Sequence, residues 1–251
     1  MAQAYGAGFA HVYNQEWGGF ASEVAPLIRD FYLSNKADGR RMLDIGCGAG
    51  HLARLFLESG FDLTGIDLSE PMLDEARATN QTWIEHGTAR FYQADAAGFR
   101  VDGTFDLVLA TNDVINHLPD QAALDRCFRS VTDVTATGGY FIFDLNTRTG
   151  LHRWNTLSAG ERGASYIVQR GIYDGGDRAH MLITGFVPDG PAGRYRRFDQ
   201  AVYNTAFDLH TVQTLLTENG WAHIHFARAD SLATPLAAPE LEGRVFVVAV
   251  R

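Results

Sequence analysis

Lysine is almost missing from this 251-residue chain: Lys36 is the single one, and the remainder of the 21 basic residues are arginine. Basic residues are also outnumbered. The formal net charge of -9 excludes a general nucleic-acid binder, which needs a basic excess. Cysteine is nearly as scarce. Cys47 and Cys127 alone supply no disulfide framework, no zinc spacing and no three-cysteine iron–sulfur motif. No apolar run approaches the roughly 18 residues of a membrane span, and no basic stretch followed by an apolar one opens the chain. A soluble, cytoplasmic protein is the expectation. Repeats, low-complexity tracts and flexible linkers are absent as well.

What is present suits one large core, since 46% of the residues are apolar. The chain is organised around residues 41–50. Met42, Leu43 and Ile45 read as a buried parallel strand, and Gly46, Gly48 and Gly50 force a tight turn. Leu52, Leu55 and Phe56 then share one face of a helix. Such a strand–turn–helix corner is predicted to let a ligand approach bare backbone N–H groups. A dinucleotide fingerprint would need Gly at position 51, where His51 stands, and no Gly-Lys-Ser/Thr follows to make a P-loop.

Further strands are predicted at residues 61–67, 89–94, 105–111 and 140–145, and three of them end in or beside an acid or a polar residue: Asp67, Asp95 and Thr111. Helices are predicted from Ser22, as N-cap, to about Leu33, from Ser69, from Asp120 to about Asp133, and from Leu209 to Asn219. Between Arg148 and Tyr203 the pattern changes to strands at 165–169, 180–186 and 196–203, with turns at 174–177 and 188–191, which together read as an antiparallel meander. Two last strands, 222–227 and 245–250, close the chain.

Asp44-Ile45-Gly46-Cys47-Gly48-Ala49-Gly50, followed by Asp67 and Asp95 in order, resembles the cofactor-binding segment of the class I S-adenosylmethionine-dependent methyltransferases. The resemblance covers residues 40–146 by motif and the rest by element order. It implies an α/β, Rossmann-like, mostly parallel seven-stranded sheet in the order 3-2-1-4-5-7-6, with helices on both faces and the meander inserted after the fifth strand. The domain reading is a helical lid at 1–36, a cofactor-binding core at 37–147 and 205–251, and a substrate-side insertion at 148–204. It also implies S-adenosylmethionine as cofactor: Asp44, Gly46, Gly48 and Gly50 at its methionine part, Asp67 and Leu68 at the ribose, Asp95 and Ala96 at the adenine, and Thr111 at the end of the fourth strand.

Within that family, Tyr13, the segment 116–118 and the meander resemble the small-molecule branch that includes aminosugar N-methyltransferases. Tyr13 either faces the reacting centre or only packs. His117 is a general base, a substrate orienter or a helix cap. Asp144 and Asn146 are read as lying on opposite faces of their strand, as pocket floor rather than a metal pair, so no metal is implied. From 148 to 198 the meander carries eight arginines against four acids. Arg148, Arg170 and Arg197 are therefore expected to clamp an anionic small-molecule substrate. N-methylation of an amine is the leading reading. O- or C-methylation, a nucleotide-dependent oxidoreductase and a non-catalytic partner subunit remain alternatives, and a homodimer stays open.

Overall fold

A computed structural model describes residues 5–6, 8–10, 19–36, 38–190 and 193–251. Alternating apolar and glycine-rich segments build a seven-stranded sheet from β1 (Arg41–Ile45), β2 (Asp62–Asp67), β3 (Ala89–Gln93), β4 (Phe105–Ala110), β5 (Thr135–Asn146), β10 (Ala222–Ala227) and β11 (Arg244–Val250). Read from one edge, the order is β3-β2-β1-β4-β5-β11-β10. The first five strands run parallel, and β11 lies antiparallel to both β5 and β10. This is the expected order, with β10 and β11 as the sixth and seventh strands of the sheet.

Strand alternation divides the core into two halves. Leu43 and Ile45 of β1 turn toward α5 (Gln121–Val134) and α7 (Leu209–Glu218), where they join Leu124, Cys127, Phe128, Val212 and Leu216. Met42 turns the other way, toward α1 (Gly19–Asn35), α2 (His51–Glu58) and α3 (Glu70–Thr79), and joins Ile28, Tyr32, Phe56 and Leu73. Cys127 is thus a core residue. The short α4 (Gln81–Glu85) follows α3. Among the described residues, no helix is long and apolar enough to cross a membrane.

Between β5 and α7 the chain forms α6 (Arg148–Leu151) and a separate antiparallel sheet of β6 (Leu157–Arg162), β7 (Ser165–Ile172), β8 (Arg178–Pro188) and β9 (Tyr195–Thr205), in that order. Ile167, Ile183 and Val187 on its inner face pack against Phe9, Ala10 and Met72. The sheet therefore leans over the carboxyl ends of the parallel strands, joined to them through the N-terminal segment and α3.

Three local expectations need correction. β6 was not predicted, because its exposed sequence lacks the apolar alternation that marks a strand. Ser22 does not cap α1. The helix already begins at Gly19 and carries Pro26 inside it. The fifth strand begins at Thr135 rather than after Gly138-Gly139, since its early residues pair with β4 across an irregular register.

Candidate active site

The glycine turn opens the site by folding back on β2. Gly46, Gly48 and Gly50 have φ of 68°, 53° and 77°, in the left-handed region that side chains disfavour. A Cβ on Gly46 would collide with Val114, and one on Gly50 with Asn80. The backbone donors are not bare, as the sequence suggested. Gly46 and Cys47 both donate to the Ile66 carbonyl, Gly50 donates to the Cys47 carbonyl, and Gly48 donates to Asp67 Oδ2 at 2.9 Å. The glycines give the site room rather than donors, and they tie the turn to the strand that carries Asp67.

A cavity of about 230 Å³ runs along the carboxyl ends of β1, β2 and β4. Gly46, Gly48, Asp67, Leu68, Asp95, Ala96 and Thr111 all line it. Asp67 accepts from Gly48 and, at 2.8 Å, from the Ser69 N–H, while burial pushes its carboxyl above the usual range. Asp95 Oδ1 caps a turn by accepting from the Ala97 N–H at 2.8 Å. Gly50 stands behind the cavity at the start of α2 and shapes the turn without touching the open space.

Asp44 lies one step deeper. It is fully buried, and a small recess bounded by Phe20, Ala21, Gly46, Thr111 and Asn112 opens onto it. Among the described residues, its Oδ2 has no hydrogen-bond partner. Burial, reinforced by the nearby Asp67 charge, raises its pKa to about 8. A buried carboxylate oxygen without a donor is costly, and a ligand ammonium would supply the missing donors. The residues present therefore fit S-adenosylmethionine: an acid at its amino group, an acid at the ribose diol, and the Asp95–Ala97 turn at the base.

A second cavity, about 360 Å³, adjoins the first and is roofed by the inner face of the antiparallel sheet. Its walls include Phe9, Phe20, Trp154, Gln169, Met181, Ile183 and Val202. His117 and Tyr5 line both cavities. His117 Nε2 lies 3.2 Å from the Tyr5 hydroxyl and 3.6 Å from Asp113 Oδ2, and the ring also bonds the backbone of Tyr203. Burial lowers the His117 pKa, against the opposing pull of Asp113 and Asp67, which favours the neutral imidazole at pH 7.

The floor between the cavities is a polar network that sequence reading missed. Asn112 and Asp113 sit at φ of 66° and 55°, two consecutive left-handed residues without glycine. Asp144 holds them there: it is fully buried and accepts the Asn112 N–H at 2.5 Å and the Asp113 N–H at 3.1 Å. Arg244 pairs with Asp144 and reaches Asp113 Oδ1 at 3.3 Å. Asn204 donates to Asp113 Oδ2 at 2.9 Å and accepts from Asn146 Nδ2 at 2.8 Å. Asp144 and Asn146, two apart on β5, therefore share a face and feed one network, contrary to the opposite-face reading.

The other substrate-side candidates fall elsewhere. Tyr13 lies outside the described residues. Arg148 is engaged with Asp177 at 3.0 Å and with the Gly175 and Gly176 carbonyls. Arg197 pairs with Asp199 at 2.9 Å on an exposed part of β9. Arg170 is exposed, one residue from Gln169, which lines the second cavity, and so takes the outer face of β7. None of the three arginines lines either cavity, so the structure lends the anion clamp no support. Strand parity decides this for Arg170 and Arg197, and the sequence alone did not reveal which face was inward; Arg148 opens α6 and is held by Asp177.

A methyltransferase-domain family profile matches residues 42–139. The chain is 31% identical over 206 residues to the putative methyltransferase YqeM of Bacillus subtilis, covering 79% of each protein. It is 31% identical over 172 residues to the ubiquinone biosynthesis O-methyltransferase of Pseudomonas aeruginosa strain UCBPP-PA14, covering 63% of this chain and 69% of that one. Among solved structures, an S-adenosylmethionine-dependent methyltransferase of Clostridium acetobutylicum superposes with a TM-score of 0.81 at 23% identity, over 96% of this chain and 97% of that one. CalS10, an amino pentose methyltransferase from Micromonospora echinaspora solved with bound S-adenosylmethionine, gives 0.68 at 21% identity, over 96% and 94%. Cavity, strand order and relatives agree, and the chain belongs to the S-adenosylmethionine-dependent methyltransferases.

Proposed function

We propose that this enzyme methylates an amine nitrogen of a small molecule held in the second cavity. The observation that carries the reading is the placement of His117, half-buried, with Nε2 at the junction of the two cavities. When bound, S-adenosylmethionine supplies a methyl group made electrophilic by its sulfonium. In the same proposal Asp67 accepts the ribose hydroxyls, Asp44 the ammonium, and Asp95 with the Ala96 backbone the adenine, while Leu68 and Thr111 form walls. An amine arrives protonated at neutral pH and has no lone pair to offer. His117 Nε2 accepts its proton, and Asp113 then stabilises the imidazolium at 3.6 Å. Tyr5 holds the ring by its hydroxyl and helps close the cavity. The rest is alignment, which the packed walls provide. In this proposal residues 148–204 are the substrate-side wall and the Tyr5–Phe9 region is the cover.

A second reading is O-methylation, favoured by the Pseudomonas relative's name and by the apolar walls. In that case His117 would take the proton of a hydroxyl. Labelled methyl transfer from S-adenosylmethionine to a library of paired amines and alcohols separates the two. The proposal expects label on nitrogen and its loss in His117→Ala. Label on oxygen alone, or full N-methylation by the variant, contradicts it.

A further inference from the structure

The second cavity has an electrostatic character that its shape alone does not announce. Every Lys and Arg of the chain lies among the described residues, and none of them lines this cavity. Asp113 does. Among the described residues Asp113 meets one guanidinium, that of Arg244, whose single charge is divided between Asp113 and the fully buried Asp144, and the His117 ring, neutral until it takes up a proton, lies 3.6 Å away. Arg244 also lies over the Phe20 ring, 4.9 Å from its centroid, so this ring already serves a cation. Phe9, Phe20, Trp154 and Tyr5 supply aromatic rings to the lining from separate segments of the chain. Tyr5 and Phe9 stack at 4.4 Å, which braces the covering side.

A carboxylate that shares its one guanidinium with a second, buried acid, set among aromatic rings, attracts organic cations and repels anions. We infer that the second cavity selects an organic ammonium ion whose remaining body is uncharged, with Asp113 and the Phe20–Trp154 walls as its recognition elements. Phosphate- or carboxylate-bearing substrates are disfavoured: they would bring a negative charge to Asp113 with no arginine or lysine in the lining, the charge of Arg244 being already shared by Asp113 and Asp144. The class is therefore a free alkyl- or arylalkylamine, or a neutral sugar amine, rather than a nucleotide-linked one. Because a methylated amine keeps its positive charge, the cavity also holds products and quaternary analogues.

This inference rests on the second cavity being the substrate cavity, but its test reads binding rather than turnover. Protein loaded with S-adenosylhomocysteine is titrated calorimetrically with benzyltrimethylammonium, with its neutral isostere neopentylbenzene, and with phenylacetate. The quaternary ion should bind at least tenfold more tightly than the neutral isostere, and phenylacetate should show no binding. Asp113→Asn should reduce that preference by tenfold or more. Trp154→Ala, which leaves the Arg244–Asp144 pair untouched, should weaken the quaternary ion selectively. Equal affinities for the cation and its isostere, tighter binding of phenylacetate, or no binding of the cation would overturn the inference. Cation selectivity accompanied by methyl transfer to oxygen would leave it standing and refute the amine reading instead.

Discussion

The Tyr5 hydroxyl and His117 Nε2 meet at 3.2 Å where the two cavities join. This contact ties the N-terminal segment to the segment that follows β4, and a second tie reinforces it: the Ser69 hydroxyl donates to the Tyr5 carbonyl at 2.7 Å. One residue thus bridges the ribose side and the proposed reacting centre.

Removing His117 should therefore cost more than removing the hydroxyl that holds it. His117→Ala is expected to lower kcat by about 10²–10⁴, the usual range for a general base, and Tyr5→Phe by about tenfold or less. The His117 pKa lies below its ordinary value, because burial outweighs the two acids. The rate of the wild type should fall on acidification only below the ordinary histidine range and stay level above it. Loss of that acid limb in His117→Ala, read from kcat against pH, checks the role. An unchanged profile contradicts it.

Asp44 couples cofactor binding to stability. Its folded-state pKa of about 8 lies above the unfolded value of 3.8, so the folded, ligand-free protein holds an extra proton between those values. By linkage, the Asp44 contribution to stability is fully present below about pH 4 and is lost as pH rises toward 8. Asp44→Asn should remove this slope and stabilise the ligand-free protein near pH 8 by about 1–3 kcal/mol, while weakening S-adenosylmethionine binding at least tenfold. Denaturant titrations at several pH values measure the first effect and calorimetry the second. A variant less stable than wild type at pH 8, or one of equal affinity, counts against the assignment.

Arg244 holds the network floor. Arg244→Met leaves Asp144 buried without its cation and should destabilise the fold by about 3–5 kcal/mol. Adding Asp144→Asn should recover part of that loss. A single variant within about 0.5 kcal/mol of wild type, the range of an ordinary surface change, would show that the pair does not brace the turn.

The fold was legible because its strands are marked individually. Met42, Leu43 and Ile45, then Leu107, Val108 and Leu109, are apolar runs that only a sheet covered on both faces accommodates. The acids at strand ends mark the ligand edge of such a sheet, which brought Asp67 and Asp95 to one cavity. The network was not legible, because Arg244 stands 100 residues from Asp144 and 131 from Asp113, with no motif between them. Asn112 and Asp113 gave no signal either, since neither is the glycine that a left-handed turn suggests. Tyr13 drew attention by its family position, whereas Tyr5 is the tyrosine that the described residues bring to His117. The arginines were not placed by composition, which counts charges without telling whether a side chain faces a cavity.

Asp67 offers the most direct test of the whole account, since it joins the glycine turn, the ribose site and the helix that follows. Calorimetric titration of S-adenosylhomocysteine into wild type and Asp67→Ala measures it in one experiment. The account predicts that the variant loses about 1.5–3 kcal/mol of binding free energy, the scale of a charge-assisted hydrogen bond, and that NAD binds neither protein. An unchanged dissociation constant in Asp67→Ala, or competition by NAD for the same site, would contradict it.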